Sequence, residues 1–245
     1  MKNITKSESN TRTIERALKI LDCFTRERPR LLLMEISQIV NLSPSTVSRL
    51  LSTLENYEYV KRDPSSLYYS LGYKLINLGA ICLSAEDLRG IAKPYLVELR
   101  DLYNESVGLF VMSKTERVCI DRVLSTKPLH RVIDIGTRMM ITRGASGKVL
   151  LAYQDEEFIK RLLREDPYVS LKELEKIRKD GYAVSYNEHE EGLASVAAPI
   201  FNAQHRLEAA LFISGPITRI NRHNVNEIIK ETVKFANAIS KKIGY

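Results

Sequence analysis

The feature that most restricts the fold is the run Leu42-Ser43-Pro44-Ser45-Thr46-Val47-Ser48-Arg49-Leu50-Leu51. Ser43 suits a helix N-cap, and Pro44 suits the first helical position, where its missing N–H is one the helix leaves unpaired anyway. Val47, Leu50, Leu51 and Leu54 recur at helical spacing and predict a buried stripe. The opposite face carries Ser45, Thr46, Ser48, Arg49 and Ser52, which are short, hydroxyl-rich and free of acid. A helix entering a DNA major groove needs those properties. Small side chains permit close approach, and a guanidinium reaches phosphate or guanine.

The flanking segments fit this helix. Residues 1–12 are polar and read as an arm, after which Thr13 is a candidate N-cap. Ile14, Ala17, Leu18, Leu21 and Phe24 then form a helical stripe, with Pro29 beyond the last turn. A short helix over 34–41 is expected to bury Ile36, Ile39 and Val40, and Asn41-Leu42-Ser43 makes a tight helix-to-helix turn. Strand-like runs over 59–62 and 67–71 flank Asp63-Pro64-Ser65-Ser66, whose turn chemistry predicts a hairpin. A hairpin directly after such a helix is the wing of a winged helix, with Lys61, Arg62 and Tyr68 as phosphate or minor-groove contacts. The same order of elements also suits a three-helix domain whose hairpin binds protein.

Charge agrees with the nucleic-acid reading. The chain of 245 residues has net charge +7; residues 1–75 carry 12 Lys+Arg against 8 Asp+Glu, and the other 170 carry 25 against 22. Positive charge is thus densest in the third that carries the helix-turn-helix pattern. Cys23, Cys82 and Cys119 show no CxxC spacing, so neither a disulfide framework nor structural zinc is indicated. No apolar run approaches a membrane span and the first residues lack a signal-peptide core, so a cytoplasmic protein with no membrane partner is expected.

Past the wing the pattern changes. Residues 73–84 are apolar with helical period, Leu75, Leu78, Gly79 and Cys82 forming one stripe that must pack on this chain or on a second copy. Another helix is expected over 87–103, with Pro94 bending or dividing it. From Ser106 alternation takes over, giving strands near 107–112, 118–123, 182–186, 194–200 and 208–214. Helices are expected over 147–153, 155–164, 171–180 and 225–243. This mixture is an α+β pattern.

Taken together, these motifs resemble the isocitrate lyase regulator (IclR) family of bacterial transcription factors. The resemblance starts at Thr13-Ile14-Glu15-Arg16-Ala17-Leu18-Lys19-Ile20-Leu21, runs through the Ser43-Pro44 helix, and includes Tyr69-Ser70-Leu71-Gly72. It resumes at Ala145-Ser146-Gly147-Lys148-Val149-Leu150-Leu151-Ala152, Gly181-Tyr182-Ala183-Val184, Glu188-His189-Glu190-Glu191-Gly192, Val196-Ala197-Ala198-Pro199-Ile200 and Ile213-Ser214-Gly215-Pro216. The blocks stand in family order along nearly the whole chain. The resemblance implies an N-terminal winged helix-turn-helix (1–72), a linker helix (73–86), and an effector-binding domain (87–245) with a GAF-like curved antiparallel sheet. It also implies a small carboxylic acid or related metabolite as effector, held by Gly144, Ala145 and Ser146 before a helix and by Ser185, Ser195, Phe212 and Ser214. The chain departs from common family patterns there: Ser185 stands where an acid is frequent, Ser195 where cysteine is frequent, and Phe212 where some members have a small hydroxyl residue. Phe212 fills space and disfavours a two- or three-carbon acid bound in the usual way.

The Gly144-to-Gly147 run independently suggests backbone N–H groups facing an anion, with Ser146 as an alternative or additional helix cap. Other motifs carry less. Gly147-Lys148 is no phosphate-binding loop, because Thr142 and Val149 stand where glycine and Ser/Thr are needed. His189 among Glu188, Glu190 and Glu191 reads as a solvated acidic loop rather than a metal site, and Cys119 as a buried small hydrophobe. No catalytic residue, metal or cofactor is called for. The expected partners are double-stranded operator DNA, a small-molecule effector, and further copies of the chain as a homodimer or dimer of dimers. The expected role is a ligand-responsive repressor. Two other classes remain open: an enzyme tethered to a winged helix, which would turn over candidate acids, and an architectural DNA binder, which would have no pocket.

Overall fold

The computed structural model describes residues 4–84 and 87–245. The chain divides into two compact units, with the boundary between residues 85 and 86. Two linker-helix positions, 85 and 86, lie outside the described residues, as does the side chain of Cys82.

The first unit contains α1 (Ile4–Leu21), β1 (Arg30–Leu31), α2 (Leu33–Val40), α3 (Pro44–Asn56), β2 (Val60–Arg62), β3 (Tyr69–Leu71) and α4 (Lys74–Ser84). Its core is Ile20, Cys23, Leu31, Ile36, Val47, Leu51, Val60 and Tyr69. The expected polar arm is helical from Ile4 on, and Thr13 lies inside α1 instead of capping it. Between Ile4 and Leu21 neither glycine nor proline interrupts the chain, so the helix begins well before its apolar stripe does. That stripe is also displaced. Ile14 and Leu18 are exposed (61% and 56%), and Ile20 and Cys23 take the core positions.

On α2 the buried pair is Ile36 and Ser37, while Ile39 is exposed. Ser37 Oγ donates to Leu42 O at 2.5 Å, which satisfies a buried hydroxyl and ties α2 to the turn. Asn41 makes that turn in the left-handed region (φ 52°), a conformation asparagine tolerates. The hairpin strands are shorter than their alternation suggests, because Leu67 (φ 61°) and Tyr68 belong to the turn. Asp63 Oδ1 accepts from the N–H groups of Ser65 and Ser66 (2.8 and 3.1 Å), and those bonds hold its carboxyl below the usual range. β1 pairs with β3, giving the sheet order β1-β3-β2.

The second unit contains α5 (Asp87–Tyr103), β4 (Ser106–Ser113), β5 (Glu116–Val123), β6 (Arg138–Met140), α6 (Ala145–Ala152), α7 (Glu156–Glu165), α8 (Leu171–Asp180), β7 (Ala183–Tyr186), β8 (Leu193–Phe201), β9 (Leu207–Pro216) and α9 (Val225–Lys242). Helix α5 runs unbroken through Pro94. The strands form one antiparallel sheet in the order β6-β5-β4-β9-β8-β7. Alternation in β4 marks two cores rather than a core and a wet face. Val107 and Leu109 join Leu96, Leu99, Ile228 and Ile239 of α5 and α9. Phe110, Ala197, Ala210 and Phe212 join Val149, Leu150, Ile159 and Leu174 of α6, α7 and α8. Helices therefore cover both sheet faces, and α6, buried along its whole length, lacks a polar stripe for periodicity to detect. Gly108 lies beneath Phe212: a Cβ there would sit 2.8 Å from the ring.

A candidate DNA interface and a candidate ligand cavity

In the first unit α3 is anchored through Val47 and Leu51, both fully buried. Ser45, Ser48, Arg49 and Ser52 are exposed on the same helix, and Thr46 is half-buried. Ser43 Oγ accepts from Thr46 N–H (3.4 Å) and hydrogen-bonds the hydroxyls of Ser45 (3.2 Å) and Thr46 (2.9 Å). The cap thus orders the side chains at the tip that faces outward. Lys61, Arg62 and Tyr68 are also exposed. Lys61 Nζ lies 4.5 Å from the Tyr73 ring centroid, and the Arg62 guanidinium 5.5 Å from that of Tyr69. Arg30 of β1 shares a cleft with Lys61, Arg62 and Tyr68. Sequence reasoning missed Arg30, because a two-residue strand has no period to read.

In the second unit one cavity is lined by Gly144, Ala145, Ser146, Ser185, Ser195, Phe212 and Ser214, all seven sequence candidates. Strand register brings the serines together: Ser185 pairs with Ser195, and Ser195 with Ser214. Phe110 and Phe212, with ring centroids 5.0 Å apart and planes tilted by 37°, form an aromatic wall. The free space is about 30 Å³, well below the roughly 300 Å³ at which ordinary ligand pockets begin.

The turn before α6 differs from expectation in two respects. Its N-cap is Gly144 (φ 73°), without a side-chain cap, so Ser146 does not cap the helix. Two of its N–H groups are engaged within the chain: Gly144 N–H donates to Glu188 Oε2 (2.8 Å) and Ala145 N–H to Ser185 Oγ (3.1 Å). Lys148, 3% exposed, pairs with Glu188 and, at 2.8 Å, with Glu173.

The 188–191 segment is also more than a solvated loop. Glu188 and His189 line the cavity and Glu190 pairs with Arg131. Arg117 and Arg131, both buried, complete the wall. Arg117 Nη1 donates to Met140 O (2.9 Å) and to Arg143 O, and its guanidinium lies 5.1 Å from the Phe110 centroid. Burial lowers its pKa to about 10, Arg131 adds to the shift, and Glu188 opposes it. Arg131 reaches the cavity from the 124–137 loop, which Ser106 Oγ fixes by donating to Arg131 O at 2.6 Å. His189 keeps exposed surface, yet desolvation, followed by Arg131 and Arg117, depresses its pKa. The cavity is therefore cationic, hydroxyl-lined and aromatic on one side, a chemistry suited to a small organic anion.

Cys119 is fully buried, and burial pushes its thiol up to about 12, which leaves it unreactive. Among the described residues no cluster of His, Cys, Asp or Glu is placed to hold a metal. Among them, too, no helix is long and apolar enough to cross a membrane.

A winged helix in one unit and a helix-covered antiparallel sheet with a narrow cavity in the other define the class: a DNA-binding regulator of transcription. The family model of the IclR helix-turn-helix domain matches residues 13–64, and that of the bacterial transcriptional regulator IclR C-terminal matches residues 80–241. The HTH-type transcriptional regulator XynR of Escherichia coli is 30% identical over 245 residues, covering 95% of this chain and 97% of that protein. The Thermotoga maritima IclR crystal structure superposes with TM-score 0.75 at 31% identity, covering 96% of this chain and all of the other. An IclR homologue from Microbacterium hydrocarbonoxydans, solved with 4-hydroxybenzoate, shares the fold with TM-score 0.81 at 20% identity, over 94% and 98% of the two chains. The chain belongs to the IclR family; it is a DNA-binding transcriptional regulator and not an enzyme.

Proposed function

We propose that the chain is a repressor whose operator affinity is set by a small carboxylic acid bound in the second unit's cavity. Ser45, Thr46, Ser48 and Ser52 select bases in the major groove, while Arg49, Lys61, Arg62 and Tyr68 hold phosphates or the minor groove. One observation carries the DNA side: α3 buries Val47 and Leu51 and leaves Ser45, Ser48, Arg49 and Ser52 exposed. The cationic, serine-lined cavity supports the acid, as does the 4-hydroxybenzoate complex of the Microbacterium homologue.

The working unit is a homodimer or dimer of dimers reading a roughly palindromic site. Apolar residues left exposed on the first unit, Ile14 and Leu18 of α1 with Ile76 of α4, support a second copy as their cover. The acid acts only if it binds the DNA-competent and incompetent arrangements with different affinity.

The test starts by selecting duplexes from a random pool with the full-length protein. A thermal-shift screen of small acids and sugar-derived acids follows, and then DNA titrations with and without each stabilising acid. The expected result is a preferred palindromic duplex whose affinity changes with at least one acid. Replacing Ser45, Ser48 and Arg49 together by alanine should abolish the sequence preference. Unaltered selection by that variant would sink the α3 reading.

A further inference from the structure

The first N–H groups of a helix are where a ligand carboxylate is ordinarily sought. At α6 the first two of those groups are taken. Glu188 accepts from Gly144 N–H and Ser185 Oγ from Ala145 N–H. Glu188 is itself clamped by the buried Lys148, which Glu173 also holds. A ligand carboxylate arriving at this turn meets a fixed carboxylate of its own sign.

Donors to spare lie elsewhere in the wall. Arg117 is 3% exposed, yet only part of its guanidinium is used. Nη1 serves two carbonyls, Nη2 reaches only the Met139 sulfur at 3.6 Å, and Nε has no hydrogen-bond partner among the described residues. Nε–H and Nη2–H are the parallel pair along one edge of a guanidinium, the edge that matches a carboxylate with two bonds. Arg131, with Nη1 against Glu190, likewise has an unpartnered Nε and lines the same cavity.

We propose that the ligand's carboxylate docks on the Nε/Nη2 edge of Arg117, with Arg131 as the second cation, and that Glu188 is a built-in occupant of the α6 terminus. The row Ser185, Ser195 and Ser214 then meets the ligand's hydroxyls, so the class is a hydroxy-carboxylate. This rests on the acid-sensing reading above and specifies where and how the acid is held.

Calorimetric titration of the full-length protein with glycolate, gluconate and 4-hydroxybenzoate, each beside its neutral amide, tests it. At least one acid binds and its amide does not. Arg117→Lys, which keeps the charge but loses the fork, weakens that acid by roughly tenfold or more. In the wild-type protein the Arg117 Nε–H proton resonance moves as the acid is added. An acid indifferent to Arg117→Lys but tightened by Glu188→Gln sits on the α6 terminus and overturns the placement. So does an Nε–H resonance unmoved at saturation, which decides the matter even where the lysine variant fails to fold. If the wild type binds none of the three acids, the acid-sensing reading falls as a whole, an outcome distinct from misplacement.

Discussion

His189 reports the charge of the cavity at the level of a single side chain. Desolvation, Arg131 and Arg117 hold its pKa below the ordinary 6.5. The sign follows from linkage. Below about pH 6.5 the unfolded chain takes the proton first, so folding stability falls as pH drops and stops falling once the folded imidazole is protonated. NMR titration should place the His189 midpoint below 6.5, and a bound anion should move it upward. A His189 midpoint above 6.5 in the ligand-free protein would contradict the cationic cavity. The two arginines responsible were not legible in the sequence. A charged residue next to a strand reads as solvent-facing, and Arg117 enters the interior only because its donors find the carbonyls of Met140 and Arg143.

Elements were legible where two independent local signals met. Helix α8 (Leu171–Asp180) has both: Ser170 Oγ accepts from Glu173 N–H at 3.1 Å, and Gly181 ends the helix in the left-handed region. Helix α3 has the Ser43 cap and Pro44. The start of α1 carries no such signal, and β1 and β6, two and three residues long, are too short to show alternation. In the candidate site, family order located the serines and the α6 turn, but the internal partners of that turn depend on contacts across about forty residues of sequence. The α3 cap also yields a prediction. Ser43→Ala should lower the stability of the first unit by about 1 kcal/mol and weaken duplex binding further by freeing the Ser45 and Thr46 hydroxyls. Denaturant unfolding followed by circular dichroism measures the first effect, since the chain has no tryptophan. DNA titration measures the second.

For the molecule as a whole, the exposed apolar faces of α1 and α4 predict that assembly and DNA reading are coupled. Ile76, 67% exposed, is the most informative position, because Ile76→Glu disturbs little packing among the described residues of its unit. Sedimentation should show this variant shifted toward monomer, with affinity for a palindromic duplex reduced by more than about tenfold as half-sites are read singly. A variant that still sediments as the wild type would remove α4 from the interface. The narrowness of the cavity has a consequence in time. With about 30 Å³ free, it cannot take in a hydroxybenzoate-sized guest as it stands, so a wall must give way and the protein sets the pace of entry. Stopped-flow traces should then quicken with acid concentration only up to a ceiling, the intrinsic opening frequency; a rate that climbs linearly throughout would mean the door stands open. A sensor paced in this manner filters out momentary bursts of metabolite and answers to supplies that last.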